Sequence, residues 1–205
     1  MLPKGFAYLT DDRFIYSLDY FTAYNFIGRP ITGYQAKVGI LTEAAVQALI
    51  KVQDELDSFN AGYHLKIFDA YRPARAVADF VQWAKEPDEK MKAIFYPNVT
   101  KSELFQQGYI AERSSHSRGS TVDLTIAIRG QHNDFKELDM GTIFDYFDEK
   151  AHTHHPQLLE SVKKNRQLLK QVMENHGFEN YPLEWWHFTL KNEPFPDTYF
   201  DFPVK

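Results

Sequence analysis

Two short segments of this sequence combine side chains that bind metal ions with a carboxylate that can move a proton. Residues 114–123 place His116 at a small, glycine-containing turn and Asp123 on the polar face of the predicted strand that follows. Residues 184–187, with the sequence Glu-Trp-Trp-His, put an acid and an imidazole three positions apart. His116, Asp123 and His187 supply three nitrogen and oxygen ligands and leave a fourth position for water, which is typical of a catalytic zinc site.

Glu184 has the properties of a general base for such a site. Zinc lowers the pKa of a bound water to about 7, and a carboxylate beside it can take the proton as the water attacks a carbonyl. In a regular strand Glu184 and His187 would point to opposite faces. We therefore expect Glu184 to lie in a turn after Pro182 and His187 to lie in the strand proper.

Each of these residues also has an ordinary structural explanation. A histidine before a strand is more often a hydrogen-bonded structural residue than a ligand, and an aspartate in a strand can cap a neighbouring loop. A denser group, His152, His154 and His155, precedes a predicted helix and has no acid at a defined spacing. We interpret this group as loop surface.

The composition excludes several classes of site. The chain has 205 residues and no cysteine, so it cannot form thiolate zinc fingers, iron–sulfur clusters, disulfides or a cysteine nucleophile. It also lacks a glycine-rich phosphate loop, a G-x-S-x-G elbow and an H-E-x-x-H helix. With 43% hydrophobic residues, the length predicts a single domain over residues 1–205.

The charge and hydropathy patterns indicate no macromolecular partner. The net charge is −5, and the dense basic cluster at residues 163–166 is interpreted as the solvated face of a helix rather than as a nucleic-acid site. No signal-type apolar region and no stretch near the ~18 apolar residues of a membrane span occurs. We expect a cytoplasmic protein with no membrane, nucleic-acid or obligate protein partner, or a periplasmic one if a leader has been removed.

Hydrophobic periodicity predicts the elements that position these residues. Thr42 is a good N-cap for an amphipathic helix that ends before Gly62. Residues 64–70 are typical of a strand, and Pro73 is suited to open a helix over residues 74–84, which places Arg72 at the junction.

The second half of the chain has a similar mixture of patterns. Residues 120–128 alternate in polarity as in a strand, residues 156–176 have helical spacing, and residues 183–190 are typical of a strand. Because helices and strands do not alternate strictly, we predict an α+β fold with a mainly antiparallel central sheet flanked by helices.

The motifs S-x-H-S-R-G-S-x-x-D-L-T and E-W-W-H resemble the signature of the VanX-type D-alanyl-D-alanine dipeptidases, zinc enzymes of the D,D-peptidase/hedgehog fold group. The similarity extends over nearly the full chain, through residues 20–26, 69–73, 140–145 and 199–205. One departure is Tyr24, where we expect the family often to have an acid.

The resemblance implies roles for nine residues. It implies one Zn²⁺ per chain held by His116, Asp123 and His187, with Glu184 as general base and acid. It also implies that Arg72 stabilises the oxyanion and that the substrate-binding residues are Asp145 and Tyr20 at the substrate ammonium and Ser114 or Ser115 near its carboxylate.

The resemblance implies hydrolysis of the dipeptide D-Ala-D-Ala, serving glycopeptide resistance or cell-wall dipeptide recycling. Because a dipeptidase binds a zwitterion, an acid should meet the ammonium and donors should meet the carboxylate. The alternatives are a carboxypeptidase or endopeptidase acting on longer peptidoglycan peptides, a zinc-containing binding module without activity, and an aromatic-rich carbohydrate-binding domain. Glu184 and Arg72 argue against the binding module, which needs neither a base nor an oxyanion partner.

Overall fold

The computed structural model describes residues 2–130 and 134–205 and shows an α+β fold. The strands are β1 (Phe6–Tyr8), β2 (Ile15–Tyr16), β3 (Ile40–Thr42), β4 (Tyr63–Asp69), β5 (Thr121–Arg129), β6 (Phe135–Glu137), β7 (Phe178–Asn180) and β8 (His187–Leu190). The α-helices are α1 (Glu43–Ser58), α2 (Ala74–Trp83), α3 (Lys92–Phe95), α4 (Lys101–Gln106) and α5 (Glu160–Asn175). Short 3-10 turns cover Asp19–Phe21, Ser115–Arg118 and Glu149–Ala151.

The central sheet has six strands among the described residues. Its order is β2-β4-β5-β8-β7, and β6 pairs with the far end of β5. Only the β2–β4 pair is parallel in this sheet, which confirms the prediction of a mainly antiparallel arrangement. Strands β1 and β3 form a separate antiparallel pair.

The register of the three central strands gathers polar residues at one end of the sheet. Asp123, near the start of β5, lies opposite Asp69 at the end of β4 on one side and opposite His187 at the start of β8 on the other. Antiparallel neighbours directly opposite each other have closely spaced side chains. The sheet therefore brings together three polar residues that are distant in sequence.

The helix that precedes β4 forms as its sequence predicts. The Thr42 side chain accepts a hydrogen bond from the Ala45 amide, the usual contact of an N-cap residue. One face of α1, which includes Leu49 and Val52, is fully buried, and the helix packs on β4 and α5. Pro73 directly precedes α2, so Arg72 does lie at a strand-to-helix junction.

Two predicted boundaries in the second half of the chain were wrong. Helix α5 begins at Glu160 rather than at residue 156, because Leu159 is extended (φ −60°, ψ 146°) and its side chain is 71% exposed. The last strand begins at His187 rather than at residue 183. In both cases the predicted element began too early, because hydrophobic residues in the preceding turn fit the same periodic spacing.

The interpretation of the basic cluster at residues 163–166 as a solvated face was also wrong in part. Lys164 is exposed, but Arg166 is buried within α5. Its guanidinium donates to the backbone oxygens of Met140, Lys150 and His152 at 2.6–2.9 Å. Arg166 therefore ties both ends of the segment 140–152 to α5.

No helix in the described part of the chain combines the length and the apolar character needed to cross a bilayer.

Candidate metal centre and active site

His116 is presented by the short turn Ser115–Arg118. The Ser114 side chain accepts from the His116 amide at the start of this turn, and Gly119 ends it with φ 84°, a conformation that favours glycine. The His116 ring is fully buried, and its Nδ1 lies 2.7 Å from the Ala70 carbonyl oxygen. A carbonyl can only accept, so Nδ1 carries the hydrogen and the Nε2 lone pair is free for a metal.

Asp123 and His187 face this nitrogen from the two neighbouring strands. His116 Nε2 is 3.1 Å from Asp123 Oδ2 and 3.3 Å from His187 Nδ1, and His187 Nδ1 is 3.1 Å from Asp123 Oδ1. On its other edge His187 Nε2 contacts the Ser115 hydroxyl at 3.2 Å. When His187 Nε2–H donates to this hydroxyl, Nδ1 keeps its lone pair toward the cluster.

These three side chains fit a metal ion. One ligand atom from each residue lies within 4.8 Å of the ligand atoms of the other two. Within residues 2–130 and 134–205, this is the one group of His, Asp or Glu side chains close enough together to hold a metal ion in this way. Asp123 Oδ1 is buried yet accepts no hydrogen bond. Burial alone would raise the pKa of Asp123, and N–H groups of His116 and His187 facing it, or a cation in their place, would hold that pKa well below its usual range. Buried lone pairs converging in this way need a cation between them.

Glu184 lies in a turn, and the predicted break in the strand is confirmed. Its amide donates to the Tyr181 carbonyl, and the His187 amide donates to the Glu184 carbonyl, so a turn precedes β8. Both side chains therefore face one cluster, with Glu184 Oε2 3.5 Å from His187 Nδ1. Burial raises the pKa of Glu184 well above its usual range, and the charges of Asp123 and Asp145 raise it further. A carboxyl with a raised pKa is suited to take and return a proton near neutral pH.

Arg72 is fixed beside the cluster by two carboxylates. Its Nε donates to Asp69 Oδ2 at 2.9 Å and its Nη2 to Asp123 Oδ2 at 3.1 Å. The guanidinium carbon lies 5.0 Å from the Tyr20 ring centroid and 5.2 Å from that of Phe80. These contacts hold a permanent positive charge next to the candidate metal ligands.

Asp145 and Tyr20 form a second polar group in the same cavity. Tyr20 donates its hydroxyl to Asp145 Oδ2 at 2.9 Å, and both residues are buried. Asp145 has φ 58°, an uncommon backbone conformation for a residue other than glycine that recurs at functional sites. Burial raises the pKa of Asp145 well above its usual range, and Asp123 adds to this effect. Within the described residues no cationic nitrogen forms an ion pair with Asp145.

A cavity of about 800 Å³, including its open mouth, connects these groups. Eight of the nine residues assigned by sequence line it, and His116 lies directly behind as a partner of Asp123 and His187. The eight are Tyr20, Arg72, Ser114, Ser115, Asp123, Asp145, Glu184 and His187. Apolar side chains, including Phe80, Ile110 and Phe147, complete the wall.

Two residues that position Arg72 were missed in the sequence, the buried Asp69 and the half-buried Tyr34. Asp69 accepts from Arg72 through Oδ2 and from the Tyr34 hydroxyl through Oδ1 at 2.7 Å. Asp69 stands three positions before Arg72 in the same motif, and that spacing was the available signal. Tyr34 is 35 positions away in the chain and carries no pattern that identifies it.

The second histidine group stays apart from this centre. His152, His154 and His155 lie in the turn before α5, half-buried or exposed, and none of them belongs to the metal-ligand set. His152 Nε2 is 3.3 Å from the Tyr109 hydroxyl. His132 lies outside the described residues.

Comparison with known proteins gives a consistent result. The model of the peptidase M15 family, described as D-Ala-D-Ala dipeptidase, matches residues 9–205. A D-alanyl-D-alanine dipeptidase of Enterococcus faecium is 40% identical over 207 residues, covering 98% of each chain. One from Streptomyces coelicolor is 42% identical over 187 residues, covering 90% of each chain. One from Escherichia coli is 35% identical over 173 residues, covering 84% of this chain and 77% of the relative.

Proposed function

Because this chain belongs to the peptidase M15 family of D-Ala-D-Ala dipeptidases, we propose that it hydrolyses the free dipeptide D-Ala-D-Ala to two D-alanines with one Zn²⁺ per chain. The observation that carries the proposal is the convergence of His116, Asp123 and His187 beside Glu184 in one cavity. The family membership makes the chain a metallopeptidase.

His116, Asp123 and His187 would hold the metal. Two imidazoles and a carboxylate, with room for water, are a ligand set that suits catalytic zinc. When bound, zinc supplies Lewis acidity that lowers the pKa of a water and polarises the scissile carbonyl. The hydrogen bonds from His116 to Ala70 and from His187 to Ser115 would orient the two rings, as outer partners of metal-bound histidines commonly do.

Glu184 would carry the proton through the reaction. Its carboxylate takes a proton from the attacking water while the water oxygen bonds to the peptide carbon. The same proton then passes to the leaving amine as the carbon–nitrogen bond breaks, which releases the second D-alanine with a neutral amino group. The raised pKa of Glu184 favours both transfers at neutral pH.

Asp145, Tyr20 and Arg72 would bind and polarise the substrate. Asp145 is a buried acid that forms no ion pair among the described residues, so a substrate ammonium would balance the negative charge of its carboxylate. Arg72 would meet the carbonyl oxygen as negative charge develops there. Ser114 and Ser115 line the wall where the carboxylate end would lie.

Turnover of free substrate analogues tests this proposal. We expect cleavage of D-Ala-D-Ala, little cleavage of N-acetyl-D-Ala-D-Ala because the acetyl group removes the ammonium that Asp145 would bind, and loss of activity with a chelator. L-Ala-L-Ala serves as the stereochemical comparison. Efficient cleavage of the N-acetylated peptide would instead support a carboxypeptidase acting on longer peptides.

We also propose a biological context for this activity. The activity would serve glycopeptide resistance or cell-wall dipeptide recycling, by a single domain over residues 1–205 that needs no protein partner. The proposed location is the cytoplasm, with the periplasm as the alternative.

A further inference from the structure

The charges that line the cavity are unevenly compensated. Arg72 already pairs with Asp69 and Asp123, so its positive charge is balanced by the protein. Asp145 accepts a hydrogen bond from the Tyr20 hydroxyl and is near the positive charge of Arg72, but among the described residues it forms no ion pair. A zwitterionic dipeptide would supply the missing cation at Asp145, but its own carboxylate would then need a separate positive partner.

Arg113 is a cation of this cavity that remains available. It lines the cavity, and in residues 2–130 and 134–205 it makes no ion pair with a carboxylate. Its guanidinium carbon lies 5.3 Å from the ring centroid of Tyr199. A ring of this kind positions a guanidinium without neutralising its charge. Arg118 approaches the same ring at 5.8 Å, but it pairs with Glu193 at 2.7 Å.

Arg113 is adjacent in the chain to the serines proposed for the carboxylate end of the substrate. It directly precedes Ser114 and Ser115, and the Ser115 hydroxyl contacts His187 at Nε2. That nitrogen is on the ring edge opposite Nδ1, which faces the other metal ligands. Asp145, in contrast, is held by Tyr20, whose ring lies against Arg72.

We infer that Arg113 binds the free carboxylate of the dipeptide and makes the enzyme selective for substrates that end at the second residue. This inference rests on the proposed function. A guanidinium can donate two parallel hydrogen bonds to one carboxylate, which an amide or a continuing peptide cannot accept in the same way. Because Arg113 is exposed, the contact would weaken at high salt.

The test compares D-Ala-D-Ala with its C-terminal amide, D-alanyl-D-alaninamide. We expect wild type to prefer the free acid. In Arg113→Gln, kcat/KM for the free acid should fall about tenfold, mainly through KM, whereas turnover of the amide should change far less. Arg113→Lys should recover part of the preference because it restores the charge without the planar fork.

The ratio of kcat/KM for the two substrates, measured on one preparation, does not depend on the fraction of folded protein. Lys164→Gln removes an exposed positive charge outside the cavity and should leave the ratio at the wild-type value. An unchanged ratio in Arg113→Gln would overturn the inference, whether both activities fall together or neither falls. If wild type cleaves no D-Ala-D-Ala at all, the proposed function itself fails, and the inference fails with it.

Discussion

Glu184 and His187 are three positions apart in the chain, yet their side chains meet at one cluster. The turn that begins at Tyr181 makes this possible, because it ends at His187 before the strand alternation starts. The side chains then differ in environment. His187 is oriented by Ser115, whereas Glu184 is buried and has a raised pKa. The residues would thus serve different purposes, one as a ligand and the other as a proton carrier.

Replacement of Glu184 by glutamine separates these purposes. Glu184→Gln keeps the shape of the side chain and removes the base, so we expect kcat to fall on the order of 10²–10⁴-fold while the protein still binds one zinc ion. Elemental analysis and steady-state kinetics measure the two quantities. Glu179→Gln, an exposed change on β7, is the matched control and should behave as wild type. Near wild-type turnover in Glu184→Gln would contradict the assigned role.

At the scale of elements, the site depends on how one irregular segment is attached to regular ones. Residues 140–152 carry Asp145 and contain little regular structure. Arg166 of α5 holds this segment through three carbonyls near its two ends, and the Trp185 amide donates to the Ala151 carbonyl. Helix α5 is thereby connected to the proposed ammonium site and to the turn that carries Glu184.

Arg166→Met tests the importance of this attachment. The variant keeps an unbranched side chain but leaves three carbonyls without their donor, so we expect the free energy of unfolding to fall by about 3 kcal/mol or more. Urea-induced unfolding measures this loss. Lys164→Met, at an exposed position of the same helix, should change stability little. Equal stability of the two variants would show that the buried guanidinium does not hold the segment.

Sequence patterns predicted the longer helices and strands and the strand that contains β8, but missed most short elements, including α4 with its capping box at Thr100 and Glu103. Helix α1, with its Thr42 cap, and strands β4 and β5 follow from periodicity because each has at least seven residues. Strands of two or three residues, such as β2 and β7, are too short to show a period. The role of Arg166 was not predictable, since burial of one charge in a basic cluster depends on which loop packs over it.

At the scale of the whole molecule, residues near the two ends of the chain pack together beside the site. Phe6 and Phe202 pack edge to face, and the Phe202 ring stacks on Tyr71 at 4.1 Å. Tyr71 directly precedes Arg72, so this aromatic cluster supports the junction that carries the guanidinium. Val204 forms a bridge with Tyr34, the residue that holds Asp69.

The candidate ligands and Glu184 were identifiable from local motifs, because residues 114–123 and 184–187 each contain their own spacing signal. The roles of Tyr34 and Arg113 could be inferred only from the structure, because each depends on a contact with a residue far away in the chain. The motif resemblance added roles that spacing alone does not give, such as those of Asp145 and Tyr20.

We propose a requirement for one zinc ion, held by His116, Asp123 and His187, in the hydrolysis of D-Ala-D-Ala. Its most direct test is to remove metal from the purified protein with a chelator and titrate zinc back while D-alanine release is followed. We expect negligible turnover without metal and a linear rise in activity that ends sharply at one zinc ion per chain. Full turnover by metal-free protein, or a titration that ends at a different ratio, would contradict it.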